Sequence, residues 1–382
     1  MPSIRHIVYE CVPGAYAGGV QKMVFELASA QRRAGADVEV WTPDAVRAGS
    51  VEEHDGLPIR YFLPDPEFGF VKSYRLEREL MRLPGGCVLH AHNSFQPLNL
   101  QAGRAALRTG RRIFYSPHGA LDPVLLAGWS WKPFKKRVYL ALLKRPNLNR
   151  AAGLFALTRQ EADGFRTIGL TAPVHVVPNG ITPVVVAGAE EGAAFRRRLG
   201  MPADAKVVLF IGRITPKKRV EDLITALASL PDSVRLLIAG DAAQEPAYHR
   251  ALLSAADRAG VGARVHWAGF LDERSKAAAY AASDFFAHAS VSEGMALAVL
   301  EAMSAGLPCV VTEGCYMAEA AAAGAVAQCR QGPDAVAAAL AALVADGDAA
   351  RRLGQAGRAY VGRVHDWTSI ARRTLAVYGD PS

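Results

Sequence analysis

The feature that most constrains the fold is the alternation of strand-like and helix-like segments along all 382 residues. Short apolar runs, such as Ile4–Tyr9 and Val207–Ile211, are each followed by a turn and then by apolar residues at helical spacing. Most of the runs lack the polar alternation of half-exposed strands, so we expect parallel strands covered by helices on both faces. The chain is therefore predicted to be an α/β protein with doubly wound parallel sheets.

The alternation runs twice, which predicts two domains. The predicted strands are Ile4–Tyr9, Val38–Trp41, Val88–His90, Ile113–Ser116, Leu154–Leu157 and Val174–Val177, then Val207–Ile211, Val234–Ala239, Val265–Ala268, Phe285–Ala287 and Pro308–Thr312. A turn at Val177-Pro178-Asn179-Gly180 and a loose stretch over residues 182–192 separate the two series. We expect an N-terminal domain over residues 1–185 and a C-terminal domain over residues 186–361. The last helical stretch, within residues 362–382, could pack on either domain.

Composition excludes several classes of protein. Hydrophobic residues make up 51% of the chain and charged residues 21%, which is typical of a folded globular protein. No apolar run approaches the roughly 18 residues needed to span a bilayer, and the N-terminal strand is not an apolar signal core. The five cysteines are scattered without metal-finger or redox spacing, as expected of buried thiols in a reducing cytoplasm.

A basic loop in the second half has the pattern of an anion site. The strand Val207–Ile211 is followed by Gly212, Arg213 and Lys218, and a helix is predicted to begin near Val220. Backbone N–H groups and the dipole at a helix start favour negative charge, and the two basic side chains add fixed cations. The alternative is a solvated basic loop without a ligand.

Two glutamates lie eight residues apart where a later helix starts. Glu293 is in the loop after strand Phe285–Ala287, and Glu301 lies about two turns into a helix predicted to begin at Met295. Because side chains on a helix tilt toward its N-terminus, Glu301 can reach the same mouth as Glu293. Ionised carboxylates accept hydrogen bonds from sugar hydroxyls. The alternative is two unrelated surface glutamates, which the apolar helix around Glu301 disfavours.

Four motifs in this order resemble glycosyltransferase family 4. They are Gly18-Gly19, Ser116-Pro117-His118-Gly119, Gly212-Arg213 with Lys218, and Glu293 with Glu301, and the resemblance runs from residue 4 to about residue 378. It implies the α/β GT-B fold, in which two doubly wound Rossmann-like parallel-sheet domains face each other across a cleft. It also implies a retaining enzyme that uses a nucleotide sugar as donor substrate and needs no cofactor or metal.

The resemblance also implies roles for the motif residues. Arg213 and Lys218 would hold the donor diphosphate and neutralise the charge that develops on it. Glu293 would contact hydroxyls of the donor sugar, and His118 would reach that sugar from the opposite domain. These four are the expected catalytic residues, and none is expected to act as a covalent nucleophile. Glu301 would accept hydrogen bonds from the ribose hydroxyls.

Further residues would complete the donor site by the same resemblance. Those expected at the sugar and diphosphate are Gly18, Gly19 and Gly294, together with the backbone N–H groups of Met295, Ala296 and Leu297. Those expected at the nucleobase are Phe270, Leu271, Glu273 and Lys276. Arg219 and Ala296 depart from the family pattern, because glycine is common at both positions, but neither change removes a charged group. His90 and His92 are expected to be structural or to face the acceptor.

One strongly basic segment accompanies the net charge of +8. Trp129–Arg150 contains seven Lys or Arg residues and no Asp or Glu, with interleaved aromatic residues Trp129, Trp131, Phe134 and Tyr139. Such a segment suits the interface of an anionic bilayer. We therefore expect peripheral attachment to the inner face of the cytoplasmic membrane. The alternative is a solvated helix packed by Val138, Leu140, Leu142 and Leu143.

These observations predict a retaining hexosyltransferase of surface polysaccharide or exopolysaccharide biosynthesis. Its donor would be GDP-mannose or a UDP-hexose, and its acceptor a lipid-diphosphate-linked saccharide. Catalysis would rest on positioning and on electrostatic stabilisation of the departing diphosphate. The alternatives are a nucleotide-sugar 2-epimerase of the same fold and a non-enzymatic binder of anionic surfaces or nucleic acid. We expect no nucleic-acid partner, because such a binder needs no acidic pair in a cleft. No Gly-x-Gly-x-x-Gly follows a strand, which disfavours a dehydrogenase.

Overall fold

The structure is a computed structural model that describes residues 2–14, 19–65, 71–93, 95–126 and 137–379. The chain forms two compact units, Met1–Gly180 with His365–Ser382, and Ile181–Val364. It leaves the first unit earlier than the expected boundary at residue 185. The C-terminal segment returns to close that unit. His365 Nδ1 donates to the carbonyl oxygen of Asn179 at 2.7 Å, and a Cβ on Gly180 would lie 2.3 Å from the ring of Trp367.

The first unit contains a sheet in the order β3-β4-β2-β1-β5-β6-β7-β8. Its strands are β1 Ser3–Ile7, β2 Asp37–Pro43, β3 Val51–His54, β4 Leu57–Phe62, β5 Val88–His92, β6 Ile113–Ser116, β7 Gly153–Ala156 and β8 Val174–Val176. All pairs are parallel except β3 with β4, which corrects the expectation of a wholly parallel sheet. The hairpin turns at Asp55-Gly56, where both φ angles are positive, as a tight two-residue turn requires.

Helices follow most of these strands. They are α1 Gly19–Arg33, α2 Tyr74–Arg82, α3 Pro97–Thr109, α4 Pro123–Leu126, a π-helical turn at Leu140–Lys144, α5 Arg145–Leu148 and α6 Arg159–Thr167. α1 buries Met23, Val24 and Leu27 at the spacing of one helical face. α6 begins at a true cap, because the Thr158 side chain accepts from the backbone N–H of Glu161.

The second unit contains a sheet in which every pair is parallel, in the order β11-β10-β9-β12-β13-β14. Its strands are β9 Lys206–Ile211, β10 Val234–Ala239, β11 Val265–Gly269, β12 Phe285–His288, β13 Cys309–Thr312 and β14 Ala327–Cys329. Its helices are α7 Ala189–Arg198, α8 Val220–Leu227, α9 Pro246–Arg258, α10 Glu273–Ala281, α11 Leu297–Ala305, α12 Ala318–Ala322, α13 Pro333–Ala345 and α14 Gly347–Val364. Short 3₁₀ turns lie at Pro216–Lys218, Gly262–Arg264 and Glu313–Cys315.

The last helix, α15 (Trp367–Gly379), packs on α1 in the first unit. Its Ile370 and Tyr378 are buried with Ile4 and Leu27 in one apolar cluster on one face of the first sheet.

Strand order reverses at one point in each sheet, between β1 and β5 in the first unit and between β9 and β12 in the second. Ligands of doubly wound sheets bind beyond the carboxyl ends of the strands at such a switch point. The residues after these four strands are therefore the first place to look for a functional site.

Candidate functional site

The loop after β9 carries the basic residues predicted to bind an anion. It ends in the 3₁₀ turn Pro216–Lys218, and α8 begins at Val220 as expected. The loop passes close to the end of β10, since a Cβ on Gly240 would lie 2.0 Å from the Gly212 carbonyl oxygen. The Arg213 side chain is exposed, so its guanidinium is accessible to a ligand.

Arg219, which stands where the family commonly has glycine, adopts the backbone conformation that glycine favours. Its φ is +51°, in the left-handed region. The guanidinium donates to Asp222 at 3.1 Å and 2.7 Å and lies 3.0 Å from Glu221. Arg219 is therefore tied to the first turn of α8.

Lys218 and Glu293 meet at the switch point of the second sheet. Lys218 Nζ lies 2.5 Å from Glu293 Oε1, and Ser290 Oγ donates to the same oxygen at 2.5 Å. His288, the last residue of β12, places Nε2 3.6 Å from Glu293 Oε1 and 3.4 Å from Lys218 Nζ. Only 14% of the Lys218 side chain and 11% of the Glu293 side chain are exposed. Two residues from separate motifs thus form one buried ion pair.

The electrostatics of this pair favour a charged carboxylate. Burial raises the pKa of Glu293, but the Lys218 ammonium and His288 outweigh it, so the pKa lies well below its ordinary value. Burial lowers the pKa of His288, and the Lys218 charge lowers it further, which keeps the ring neutral at pH 7. The site therefore offers an ionised hydrogen-bond acceptor beside a cation.

Glu301 forms a second buried pair in the same unit. Its Oε2 lies 3.0 Å from Lys276 Nζ and accepts from the Tyr280 hydroxyl at 3.2 Å. Burial and the Glu301 charge raise the pKa of Tyr280 well above its ordinary value. Glu293 and Glu301 are each 8% exposed, so neither is a surface glutamate, and each pairs with a different lysine.

The start of α11 differs from the prediction. The helix begins at Leu297, not at Met295, so Glu301 lies one turn into it rather than two. Ala296 precedes the helix in an extended conformation with φ of −75°, which any residue adopts, so glycine is not required there.

The residues predicted for the nucleobase have different environments. The Phe270 ring is 80% exposed just after β11, whereas Leu271 is buried in the apolar core. Lys276 pairs with Glu301 and also lies 3.5 Å from Glu273. We missed the contact of Lys276 and Tyr280 with Glu301, although their i, i+4 spacing on α10 is a signal that could have revealed a shared face.

In the first unit, hydrogen bonds hold the His118 ring and the backbone of the next residue, Gly119. His118 follows β6 with φ of +53°, and its Nε2 lies 3.0 Å from His92 Nδ1. The Glu161 carboxylate accepts the backbone N–H groups of Gly119 and Leu157, each at 2.7 Å. Burial raises the pKa of Glu161 to about 7. Glu161 was also missed, although its place three residues after a Thr cap is the signal of a capping box.

Three histidines of the first unit have the spacing of metal ligands. Ring nitrogens of His6, His90 and His92 lie within 4.8 Å of one another, and all three side chains are buried. Their ring nitrogens are nevertheless committed to hydrogen bonds. The partners are Gln31 and His92 for His6, Ser116 and Tyr378 for His90, and His6 and His118 for His92. The arrangement is that of a hydrogen-bond network, which a metal ion would have to break.

Two sequence predictions fall on residues outside those that the structure describes. Gly18 is one of them, whereas Gly19 is exposed at the first position of α1. The other is the first part of the basic segment, residues 129–136, which includes Trp129, Trp131 and Phe134.

The described part of the basic segment exposes apolar side chains. Leu140 is buried, but Val138 is 40%, Leu142 71% and Leu143 52% exposed. The alternative of a helix packed by all four residues is therefore wrong for three of them. Among the described helices, none has the length and apolar character needed to cross a bilayer.

Family models match both halves of the chain. A model described as glycosyl transferases group 1 matches residues 193–360, and one described as a glycosyl transferase 4-like domain matches residues 18–180. The D-inositol 3-phosphate glycosyltransferase of Xylanimonas cellulosilytica is 30% identical over 319 residues, covering 77% of this chain and 75% of that protein. The protein of the same name from Mycolicibacterium smegmatis is 29% identical over 314 residues, covering 77% and 70%.

Solved glycosyltransferase structures share the fold. Sucrose-phosphate synthase from Thermosynechococcus elongatus superposes with a TM-score of 0.79 at 21% identity, covering 99% of this chain and 98% of that one. HepE from Anabaena, in complex with UDP-glucose, superposes with a TM-score of 0.79 at 20% identity, covering 99% of both chains. At this identity the likeness shows the fold, which is GT-B.

Proposed function

This chain belongs to the group 1 glycosyl transferases, and on that premise we propose that it is a retaining enzyme that transfers a hexose from a nucleotide sugar to a lipid-linked saccharide. The observation that carries the proposal is the contact between Lys218 and Glu293 at a switch point. An ammonium beside a carboxylate matches the two ends of such a donor, since the diphosphate needs cations and the sugar hydroxyls need acceptors.

The second unit supplies the groups that hold the donor. Lys218 and the exposed Arg213 bind the diphosphate and neutralise the charge that develops as it departs. Glu293 accepts hydrogen bonds from the sugar hydroxyls, and Glu301, oriented by Lys276, accepts from the ribose. Because two side chains already supply positive charge, the proposed transfer uses no metal.

The remaining contacts rest on the family resemblance. Backbone N–H groups at the start of α11, from Met295 to Leu297, border the sugar and the diphosphate. The exposed ring of Phe270 is available to stack on a nucleobase, whereas Leu271 is buried in the apolar core.

The donor is tested by thermal unfolding with UDP, GDP, UDP-glucose and GDP-mannose. The solved complex of HepE with UDP-glucose favours the uridine compounds. A ligand present at 100 times its Kd adds about 2.7 kcal/mol to the stability of the folded state, which raises Tm measurably. We expect UDP and UDP-glucose to raise Tm. An unchanged Tm with all four compounds would contradict the use of a nucleotide sugar.

The reaction is tested by product analysis with the donor that raises Tm. With a lipid-diphosphate-linked saccharide added, we expect transfer with retention of the anomeric configuration. The expected setting is assembly of a surface or exported polysaccharide. D-inositol 3-phosphate is the comparison acceptor, because relatives carry that name. Conversion of the donor to its 2-epimer without acceptor would instead identify a nucleotide-sugar 2-epimerase.

Attachment to an anionic membrane surface is the second part of the proposal. The exposed Leu142 and Leu143 lie in a segment rich in Lys and Arg and free of acidic residues, which fits an interface of lipid chains and anionic headgroups. We expect co-sedimentation with phosphatidylglycerol vesicles and little with phosphatidylcholine vesicles.

A double variant, Leu142→Ser with Leu143→Ser, should sediment less than the wild type. The matched control is Val46→Ser, which removes another exposed apolar side chain, 92% exposed, from the same unit. Equal sedimentation of all three proteins would contradict docking through this segment.

A further inference from the structure

Three imidazole rings in the first unit form a continuous hydrogen-bond chain that starts at His118. His118 Nε2 lies 3.0 Å from His92 Nδ1, and His92 Nε2 lies 2.8 Å from His6 Nδ1. His6 Nε2 lies 2.7 Å from Gln31 Oε1 at the inner end. The rings of His92 and His118 are inclined by only 12° and those of His6 and His92 by 24°, which is compatible with N–H···N bonds between them.

The chain follows from the sheet and the helix that covers it. His6 on β1 and His92 on β5 lie on neighbouring parallel strands at the switch point, with side chains on one face. α1 crosses that face and brings Gln31 to the inner end. The loop after β6 brings His118 to the outer end.

Burial determines the protonation state of the three imidazole rings. It lowers the pKa of His6 to about 4 and lowers the pKa values of His92 and His118 as well, so each ring is neutral at pH 7. A neutral imidazole donates from one nitrogen and accepts at the other. The tautomer of one ring therefore sets the tautomer of the next.

The direction is set at the glutamine. In this structure the Gln31 amide oxygen faces His6 Nε2. Because an amide oxygen can only accept, this orientation places the His6 proton on Nε2, and His6 Nδ1 then accepts from His92 Nε2–H. His92 Nδ1 then accepts from His118 Nε2–H. All three rings carry the proton on Nε2, which leaves Nδ1 of His118 as an acceptor.

We propose that Gln31, His6 and His92 are positioning residues that hold His118 in its Nε2–H tautomer, so that His118 Nδ1 accepts a hydrogen bond from a substrate hydroxyl. An acceptor nitrogen selects a hydroxyl and rejects a phosphate oxygen, which has no proton to donate. The opposite tautomer would donate to either group. The inference rests on the proposed function only for the identity of the partner of Nδ1.

The direct test is ¹⁵N NMR of the imidazole rings in the ligand-free protein, with the His118 signals identified by their loss in His118→Asn. The expected result is a protonated Nε2 and an unprotonated Nδ1 on His118. A protonated Nδ1 in the wild type, as an inverted Gln31 amide would produce, overturns the proposal. This measurement needs no substrate, so it stands even if the donor assignment fails.

The variant test replaces Gln31 with methionine, which keeps the length of the side chain and removes the acceptor. We expect a mixture of tautomers on His118 and a fall in kcat of about tenfold, the scale on which loss of an orienting partner acts. The matched control is Gln101→Met in α3, a buried glutamine that accepts from Ser73 N–H instead. An unchanged tautomer in Gln31→Met contradicts the relay.

Zinc provides one more test of the wild type, because His6, His90 and His92 have the spacing of metal ligands. The relay predicts that the imidazole signals do not move on addition of Zn²⁺. Stoichiometric zinc binding that shifts all three would overturn it in favour of a metal centre.

Discussion

The switch points of the two sheets have the same strand arrangement, but one carries buried charges and the other carries neutral side chains. In the second unit, the loops after β9 and β12 bring Lys218 and Glu293 together as a buried ion pair. In the first unit, β1 and β5 bring together His6 and His92, which burial keeps neutral. One site is organised by charge, and the other by the direction of hydrogen bonds between uncharged rings.

The difference shows how one fold can prepare two kinds of recognition. Removing one partner of a buried ion pair leaves the other charge buried and unpaired, so single substitutions there should have large effects. A substitution in a network of neutral rings leaves no unpaired charge. Its effects should therefore arise from changes in the tautomers and orientations of the remaining rings. The predictions below separate these two behaviours.

The largest effect is expected for Lys218→Met. The variant removes the cation that stabilises the departing diphosphate, so kcat/KM should fall about 10²–10³-fold, the scale for loss of one electrostatic contact in a transition state. The measurement is steady-state transfer with a saturating acceptor.

The matched control is Lys206→Met, which breaks the 3.4 Å ion pair with Asp284 at the amino-terminal edge of the same sheet. Its activity should stay near that of the wild type. Comparable losses in both variants would show that position at the switch point does not matter.

The pH dependence of stability should distinguish the glutamates of the two units. The pKa of Glu161 in the folded state, about 7, lies above the ordinary value of 4.5, so ionisation costs stability as pH rises from about 4.5 to 7. Relative to Glu161→Gln, the wild type should therefore lose on the order of 2 kcal/mol between pH 5 and pH 8 in urea unfolding.

Glu293→Gln should show no such trend over this pH range. The pKa of Glu293 is lowered in the folded state, so its contribution is present above its ordinary pKa and is lost only as pH falls below it. The stability difference from the wild type should be nearly constant from pH 5 to pH 8. If the stability differences of the two variants from the wild type changed with pH in the same way, the proposed electrostatic contrast between the units would be contradicted.

A smaller effect is expected for Lys276→Met. The variant leaves Glu301 buried with Tyr280 and without its 3.0 Å ammonium partner. Nucleoside diphosphate should bind about tenfold more weakly, corresponding to about 1.4 kcal/mol. Isothermal titration calorimetry measures this affinity. An unchanged affinity for the nucleoside diphosphate would contradict the placement of Glu301 at the ribose.

The smallest effect concerns the turn at Arg219. Arg219→Ala keeps a side chain in the left-handed region and loses the bonds to Asp222, whereas Arg219→Gly loses the same bonds and relieves the strain. The glycine variant should therefore be more stable than the alanine variant by about 1 kcal/mol. A more stable alanine variant would mean that the φ of +51° is not strained.

Much of the fold follows from the sequence because most of its parallel strands are buried on both faces and are therefore mainly apolar. The β3–β4 hairpin was missed because Val-Glu-Glu-His is polar and half exposed. The charged site was predictable in part, since Lys218 and Glu293 lie in recognisable loops. The histidine chain was not, because the contact of His6 with His92 depends on β1 and β5 being neighbours in the sheet.

The central claim is that the Lys218–Glu293 pair is where the donor's diphosphate and sugar bind. The most direct test is a crystal structure with the nucleoside diphosphate that raises Tm. We predict phosphate oxygens within hydrogen-bond distance of Lys218 Nζ and the Arg213 guanidinium. A diphosphate bound elsewhere, with Lys218 and Glu293 still paired and untouched by ligand, would contradict the account.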